Sequence, residues 1–286
     1  MTRYTIGLVS GLALLVAVLG PGVRAQASLP LENLGLEHLD IVVPDPAASA
    51  RFYARILRTA LHQQPVRDTL RYFIVLGDVP ADRQVGYIAI GAGQGRPPAI
   101  GHYCVLAKTY NAAGFAASLE MAGLPSKPTA AGPIGMWPDP DGLELQLFQP
   151  PAGLVTAAVP SDLAVETNGL VTPMGLDHVM LNVRDINTSL PYYHFVYGKQ
   201  VDGARQSNPD RLWLNLNADT RIALQQTPNG QSPRIEHFCI KVRAFDREAV
   251  ATGLKKIGAE VLASPDEPGI LRFLDNNRIM VELKAT

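Results

Sequence analysis

Four stretches of the chain alternate apolar and polar residues with a period of two, and each carries a histidine near its start. They are His38-Leu-Asp-Ile-Val-Val43, His102-Tyr-Cys-Val-Leu106, His178-Val-Met-Leu-Asn-Val183 and His237-Phe-Cys-Ile-Lys-Val242. Alternate residues of a pleated strand face the same way, so each run predicts a strand with an apolar face and a histidine-bearing face. A fifth run closes the chain: Ile279, Val281 and Leu283 share one face, while Met280 and Glu282 share the other. Between the strands, amphipathic helices are predicted at Pro46 to Leu57, Ala112 to Met121, Ile186 to Tyr197 and Asp246 to Ile257.

The pattern repeats. Gly35-Leu-Glu-His38 returns as Gly175-Leu-Asp-His178, a shift of 140 that also superposes Asp45 on Asp185, Ser49 on Ser189 and Tyr53 on Tyr193. His102-Tyr-Cys104 returns as His237-Phe-Cys239 at 135, and Asp139 as Asp275 at 136. So small a drift over so long a span marks a duplicated domain with minor loop changes. Each copy divides again into a strand, a helix and three strand-like runs, giving βαβββ four times. The first copy runs over 32–150 and the second over 173–286, joined by the Pro- and Ala-rich segment 151–172. Cys104 and Cys239 fall at equivalent places, which predicts two buried free thiols rather than a mutual bridge.

The first 27 residues have a different character. Arg3 precedes an apolar run from Ile6 to Leu19, and the stretch 23–27 offers small-x-small cleavage sequences ending at Ala25 and Ala27. This predicts a secretory signal peptide and an exported mature chain, periplasmic or secreted, without stable membrane insertion. The formal net charge of -1 gives no electrostatic basis for nucleic-acid binding.

His178, His237 and Glu282 taken singly read as two core histidines and a surface glutamate. Together on one face they would form a facial triad for a divalent metal, with positions left open for substrate or oxygen. The remaining conspicuous residues are assigned to packing, with Trp137 covering a barrel edge.

The His-bearing first strands, the Asp139-Pro-Asp-Gly142 turn before a last strand and the fourfold βαβββ order resemble the vicinal oxygen chelate superfamily, which includes glyoxalase I, bleomycin-resistance proteins and type I extradiol dioxygenases. The resemblance implies an α+β fold of two tandem domains, each a pair of βαβββ units curled into a half-open barrel around a metal cup. In that family the carboxylate ligand falls four residues after the turn glycine. Glu282 is four after Arg278, which takes the glycine's place; in the first copy the same count from Gly142 reaches Gln146. The resemblance therefore implies a metal site at His178, His237 and Glu282, and a weaker or degraded one at His38, His102 and Gln146. The ion would be Fe(II), Mn(II) or Zn(II). Glu282 is also the candidate proton carrier, as in glyoxalase-like members. The expected partner is a small molecule with vicinal oxygens, and the chain can pair as a homodimer. Ligand order is similar to the extradiol dioxygenases, but their acid–base histidine and tyrosine are missing: Asn217 to Ile222 has no histidine, and the tyrosine's region reads Gly269-Ile-Leu-Arg272-Phe273. The alternative is a metal-free binding protein of the bleomycin-resistance kind.

Overall fold

In the computed structural model of the chain, residues 29–59, 61–66, 69–77, 86–130, 135–149, 159–160, 169–199, 210–263 and 269–286 are described. The predicted signal peptide and most of the predicted linker lie outside them. The first half contains β1 (Asn33–Val43), α1 (Pro46–Ile56), β2 (Leu61–Val66), β3 (Thr69–Leu76), β4 (Gly86–Ala92), β5 (Ala99–Ala107), α2 (Ala112–Met121), β6 (Gly135–Pro138) and β7 (Glu144–Phe148). A two-residue strand β8 (Val159–Pro160), from within the predicted linker, pairs with β2. The second half contains β9 (Pro173–Val183), α3 (Ile186–Tyr197), β10 (Arg211–Asn215), β11 (Arg221–Gln226), β12 (Arg234–Val242), α4 (Arg247–Lys256), β13 (Glu260–Val261), β14 (Ile270–Leu274) and β15 (Met280–Ala285).

All four predicted helices form, and each begins at an Asp or Asn whose side chain accepts a backbone N–H of the first turn: Asp45, Asn111, Asp185 and Asp246. Each half is built on one mixed sheet, ordered β6-β7-β5-β1-β4-β3-β2-β8 and β10-β11-β9-β12-β15-β14-β13. In both, the first strands of the two units lie antiparallel at the centre (β1 with β5, β9 with β12), and each is flanked by a parallel strand closing its own unit. The first and last units show the full βαβββ order. In the second unit the missing strand is reduced to a single bridge between Ala130 and Met136.

The period-two pattern decides what each face does. Leu39, Ile41 and Val43 of β1, Val179, Leu181 and Val183 of β9, and Val281 and Leu283 of β15 enter one contiguous apolar core that runs through both halves. The histidines face the other way, toward the two cups. Both cysteines are buried, and neither forms a disulfide. Trp137 lies on β6, the edge strand of its sheet, where it is buried at 1% exposure, packs edge-on against Phe115 and donates its indole N–H to Tyr110. Helix α2 covers it, which a strand-by-strand reading does not reveal.

The halves are clasped reciprocally. Tyr53 on α1 donates its hydroxyl to Asp275 of the second half at 2.9 Å, and Tyr193 on α3 donates to Asp139 of the first at 2.5 Å. Beside them, Asn277 donates to Ser49 and Ser189 donates to Asp141, both at 2.7 Å. Every member of one clasp is the repeat equivalent of a member of the other, so duplication produced a pseudo-twofold interface.

Candidate metal centre

Two turns set the last strands of the cups. Asp139 Oδ1 accepts the N–H groups of Asp141 and Leu143, and Asp275 Oδ1 accepts those of Asn277 and Ile279. Gly142 has φ +84°, and Arg278 takes nearly the same left-handed conformation at φ +68°. For a non-glycine residue that backbone costs about 1–2 kcal/mol, so the Asp275 cap holds Arg278 in a shape its predecessor's position requires. The four-residue count from each turn residue then brings Gln146 opposite Cys104 and Glu282 opposite Cys239, at matching register in the two sheets.

In the second cup, His178, His237 and Glu282 converge. His178 Nε2 lies 3.3 Å from His237 Nε2 and 3.3 Å from Glu282 Oε2, and His237 Nε2 lies 3.6 Å from Glu282 Oε1. All three are buried, at 1–2% exposure. Ligand bonds of ~2.0–2.2 Å around one ion place donor atoms roughly 3.0–3.5 Å apart for angles between right and tetrahedral, so two imidazole nitrogens and a carboxylate at these spacings have the size a single ion needs.

The imidazole tautomers follow from the outer contacts. His178 Nδ1 is 2.9 Å from Asp177 Oδ2, and His237 Nδ1 contacts Glu236 Oε2. A carboxylate can only accept, so each Nδ1 carries the proton, and in the neutral ring Nε2 is then a lone-pair acceptor. The two Nε2 lone pairs and the Glu282 carboxylate thus face one another with no hydrogen between them. A shared cation resolves that repulsion, and the carboxylate–histidine pairing is the usual outer shell of a metal ligand.

Neighbouring strand residues ordinarily point to opposite faces, so a carboxylate directly before a histidine should not reach its ring. Bulges make it possible. The pairing of β9 with β12 slips between His178 and Leu176, leaving Asp177 as an extra residue, and again between Ile235 and His237, leaving Glu236. The same slips in β1 and β5 leave Glu37 and Gly101. A bulge re-aims the extra side chain, and here it turns each toward the histidine that follows. Sequence reasoning missed Asp177 and Glu236 for this reason; the signal was an acid before three of the four strand histidines.

Arg272 was also missed. It lies opposite Glu282 in the β14–β15 register and donates from Nε (2.8 Å) and Nη2 (2.5 Å) to Glu282 Oε1. Burial pushes the Glu282 carboxyl up, but the adjoining His178 and His237 rings and the Arg272 guanidinium together hold it well below its ordinary value. Asp177 is likewise held down against burial by His178, Arg221 and Lys284. Trp213 stands edge-on to His178 with ring centroids 4.8 Å apart, and with Met180 and Ala223 forms an apolar patch on the cup wall. Tyr193 is buried in the clasp between the halves.

The first cup keeps the histidine pair but not the charge. His38 Nε2 and His102 Nε2 are 3.2 Å apart, and His38 Nδ1 contacts Glu37 Oε2. Gln146 stands where Glu282 stands, beside His102, with its Oε1 buried and unpartnered by a well-formed hydrogen bond. Burial, with the charges of His38 and Arg71, holds the His102 ring well below the ordinary histidine range. His38 stacks on Tyr87 at 4.5 Å, where the second cup has Arg221. A cleft of about 460 Å³ between the halves is bordered by Gly101, Glu144, Glu236 and Met280.

This architecture is that of solved glyoxalase and extradiol dioxygenase structures. Among them are the Mn(II)-bound glyoxalase from Novosphingobium aromaticivorans (19% identical, covering 88% of this chain and 81% of that one, TM-score 0.61) and the 2,3-dioxygenase LapB from Pseudomonas sp. KL28 (16%, 90% and 93%, 0.64). A third is homoprotocatechuate 2,3-dioxygenase from Brevibacterium fuscum in complex with 3,4-dihydroxyphenylacetate (17%, 93% and 83%, 0.62). The fold is therefore that of these glyoxalase and dioxygenase structures, the tandem arrangement of βαβββ units that the sequence motifs implied. No family profile and no curated protein matches the chain.

Proposed function

We propose that the chain is a metal-dependent enzyme acting on a small molecule with vicinal oxygens, at the cup formed by His178, His237 and Glu282. The observation that carries this reading is the convergence of two imidazole Nε2 atoms and the two oxygens of the Glu282 carboxylate at 3.3–3.6 Å, with both Nδ1 atoms facing carboxylates. The donor set, two imidazoles and a carboxylate on one face, suits Fe(II), Mn(II) or Zn(II). Such an ion supplies Lewis-acid polarisation of two adjacent substrate oxygens. The chain's own part is to hold the ligand geometry: Asp177 and Glu236 fix the imidazole tautomers, and Arg272 orients the Glu282 carboxylate. Trp213 and Met180 give the wall an apolar surface for a flat or hydrocarbon substrate body.

The reaction is ring cleavage with dioxygen, as extradiol ligand order suggests, or isomerase or lyase chemistry through an enolate. The absence of a histidine over 217–222 weighs against the former. One observation favours a second reading: Arg272 already neutralises Glu282, as a metal-free binding protein of this fold would require. Export, inferred from the first 27 residues, favours Zn(II) or Mn(II) over an ion that must be kept reduced.

Elemental analysis of anaerobically purified protein tests the proposal. At least one ion per chain, lost on His178→Ala, is expected. No ion in any preparation, even after incubation with Fe(II), Mn(II) and Zn(II), would leave the binding protein in front.

A further inference from the structure

The strand face that carries His178 continues past it with period two, through Met180 to Asn182. Pairing sets Asn182 opposite Gln225 on β11 and opposite Arg234 on β12, and Gln225 opposite Arg211 on β10. Three levels therefore line the second cup. The first holds the ligands, the second is the apolar patch of Trp213, Met180 and Ala223, and the third is polar. At ~3.3 Å per residue along a strand, the polar level lies about 7 Å beyond the apolar one.

Asn182 is the residue of the third level that packing does not explain. It is 1% exposed, and its Oδ1 has no hydrogen-bond partner. Burying an amide oxygen in that state is costly. The sheet does not demand it, because the equivalent residue of the first half, four after His38, is the buried Val42. There the protein fills the level with its own groups. Val42 pairs with Gly91, where a Cβ would come within 2.9 Å of Arg71 Nη2, and Arg71 Nη1 stands 3.3 Å from Asp40 Oδ1. In the second half Met180 replaces Asp40. Arg211, which matches Arg71 in register, donates from Nε and Nη2 to Gln225 Oε1 instead. Gln225 Oε1 is thereby satisfied, and Asn182 Oδ1 is left on the cup face without a donor.

We infer that Asn182 selects the substrate by its far end. The molecule that fits meets the ion through its vicinal oxygens and lays a hydrocarbon body along Trp213 and Met180. It ends roughly 7 Å further on in an uncharged hydrogen-bond donor, a hydroxyl or an amide N–H, given to Asn182 Oδ1. A carboxylate end has no hydrogen to give. The inference rests on the proposed function for the ion, but its own evidence is the contrast between Asn182 and Val42, which involves no metal ligand.

The test uses 4-ethylcatechol and 4-(2-hydroxyethyl)catechol, which differ only in a terminal hydroxyl. Each is titrated calorimetrically into the full chain loaded with Zn(II), an ion without redox chemistry of its own. The hydroxyethyl compound should bind on the order of tenfold tighter, and Asn182→Val should abolish that preference. A second readout needs neither ligand nor ion. Asn182→Val should raise the melting temperature of metal-free protein by roughly 2–4 °C, since it removes a buried unpartnered amide and installs the residue of the first half. Equal affinity of the parent for the two catechols would overturn the inference while the proposed function stands. A preference that survives Asn182→Val would place the recognition elsewhere and also overturn it. A fall in melting temperature would mark Asn182 as a structural residue, with the same result. Failure to take up Zn(II), or of both catechols to bind the loaded protein, would remove the inference and the proposed function together.

Discussion

The two cups began as copies, and they now differ in where they keep their charge. In the second, the carboxylate is in contact with the ligand atoms: Glu282 on β15, opposed by Arg272. In the first, that position is Gln146, Arg272's counterpart across the strand pair is Met136, and the extra carboxylate has moved to Asp40. The histidine pairs are almost superposable in their spacing, 3.2 and 3.3 Å. The strand scaffold thus fixes the two imidazoles rigidly, while the third donor and the outer charges are free to vary. What separates the two cups at the third position is a single carboxylate on the last strand.

The sharpest way to break the comparison is to make the second cup resemble the first. Glu282→Gln should weaken its ion binding well beyond the roughly 10–100-fold that loss of an outer partner costs, leaving a site like that at Gln146. Metal titration with elemental analysis reads this directly. The same variant has an acid signature in metal-free protein. Because the folded state holds Glu282 below its ordinary 4.5, its contribution to stability is complete above that pH and is lost as pH falls below it. Urea unfolding at pH 7 and pH 3 should show a smaller acid loss in the variant than in the parent. An unchanged acid loss would mean that Glu282 is not held by its neighbours as described.

Much of this was legible in the sequence because it depended on spacing. The 140 and 135 shifts, the four helices, and the counts that bring His178, His237 and Glu282 together follow from periodicity and repeat, which the backbone obeys. Even Arg278 standing in for a glycine shows in its φ of +68°. What was not legible depended on departures from period two. Strict alternation puts Asp177 on the opposite face from His178; only a bulge, invisible in a single sequence, turns it inward. Arg272 was noticed as the absence of a tyrosine, because its partner Glu282 is ten residues away and becomes its neighbour only through strand pairing. The clasps involve tyrosines that, read alone, look like core residues.

Exchanging the third-strand residue tests the other half of the contrast. Arg272→Met gives the second cup the residue of the first and strands a buried carboxylate, which should cost about 3 kcal/mol in metal-free protein. If Glu282 is a ligand, a bound cation supplies the missing counter-charge, so Zn(II) should recover most of that loss in a denaturation experiment. A loss of the same size with and without metal would favour the metal-free binding protein, in which Arg272 is the permanent partner of Glu282.

The smallest effect lies where the halves have diverged least. Tyr53→Phe and Tyr193→Phe each remove one hydroxyl donor from a buried aspartate, Asp275 or Asp139, with no change in ring packing. Each should cost about 2 kcal/mol, since hydrogen bonds to charged groups contribute roughly 1.5–3 kcal/mol. Neither aspartate is left wholly unsatisfied, because both also accept two backbone N–H groups of their own turn. The clasps share no residue, so the double variant should lose the sum of the two to within about 0.5 kcal/mol. Those turns also set Gln146 and Glu282, so the Tyr53→Phe variant, which loosens the Asp275 turn, should disturb metal binding in the second cup and Tyr193→Phe should not. Equal effects of the two variants would show that the clasp acts on the interface as a whole, rather than on the turn that each tyrosine touches.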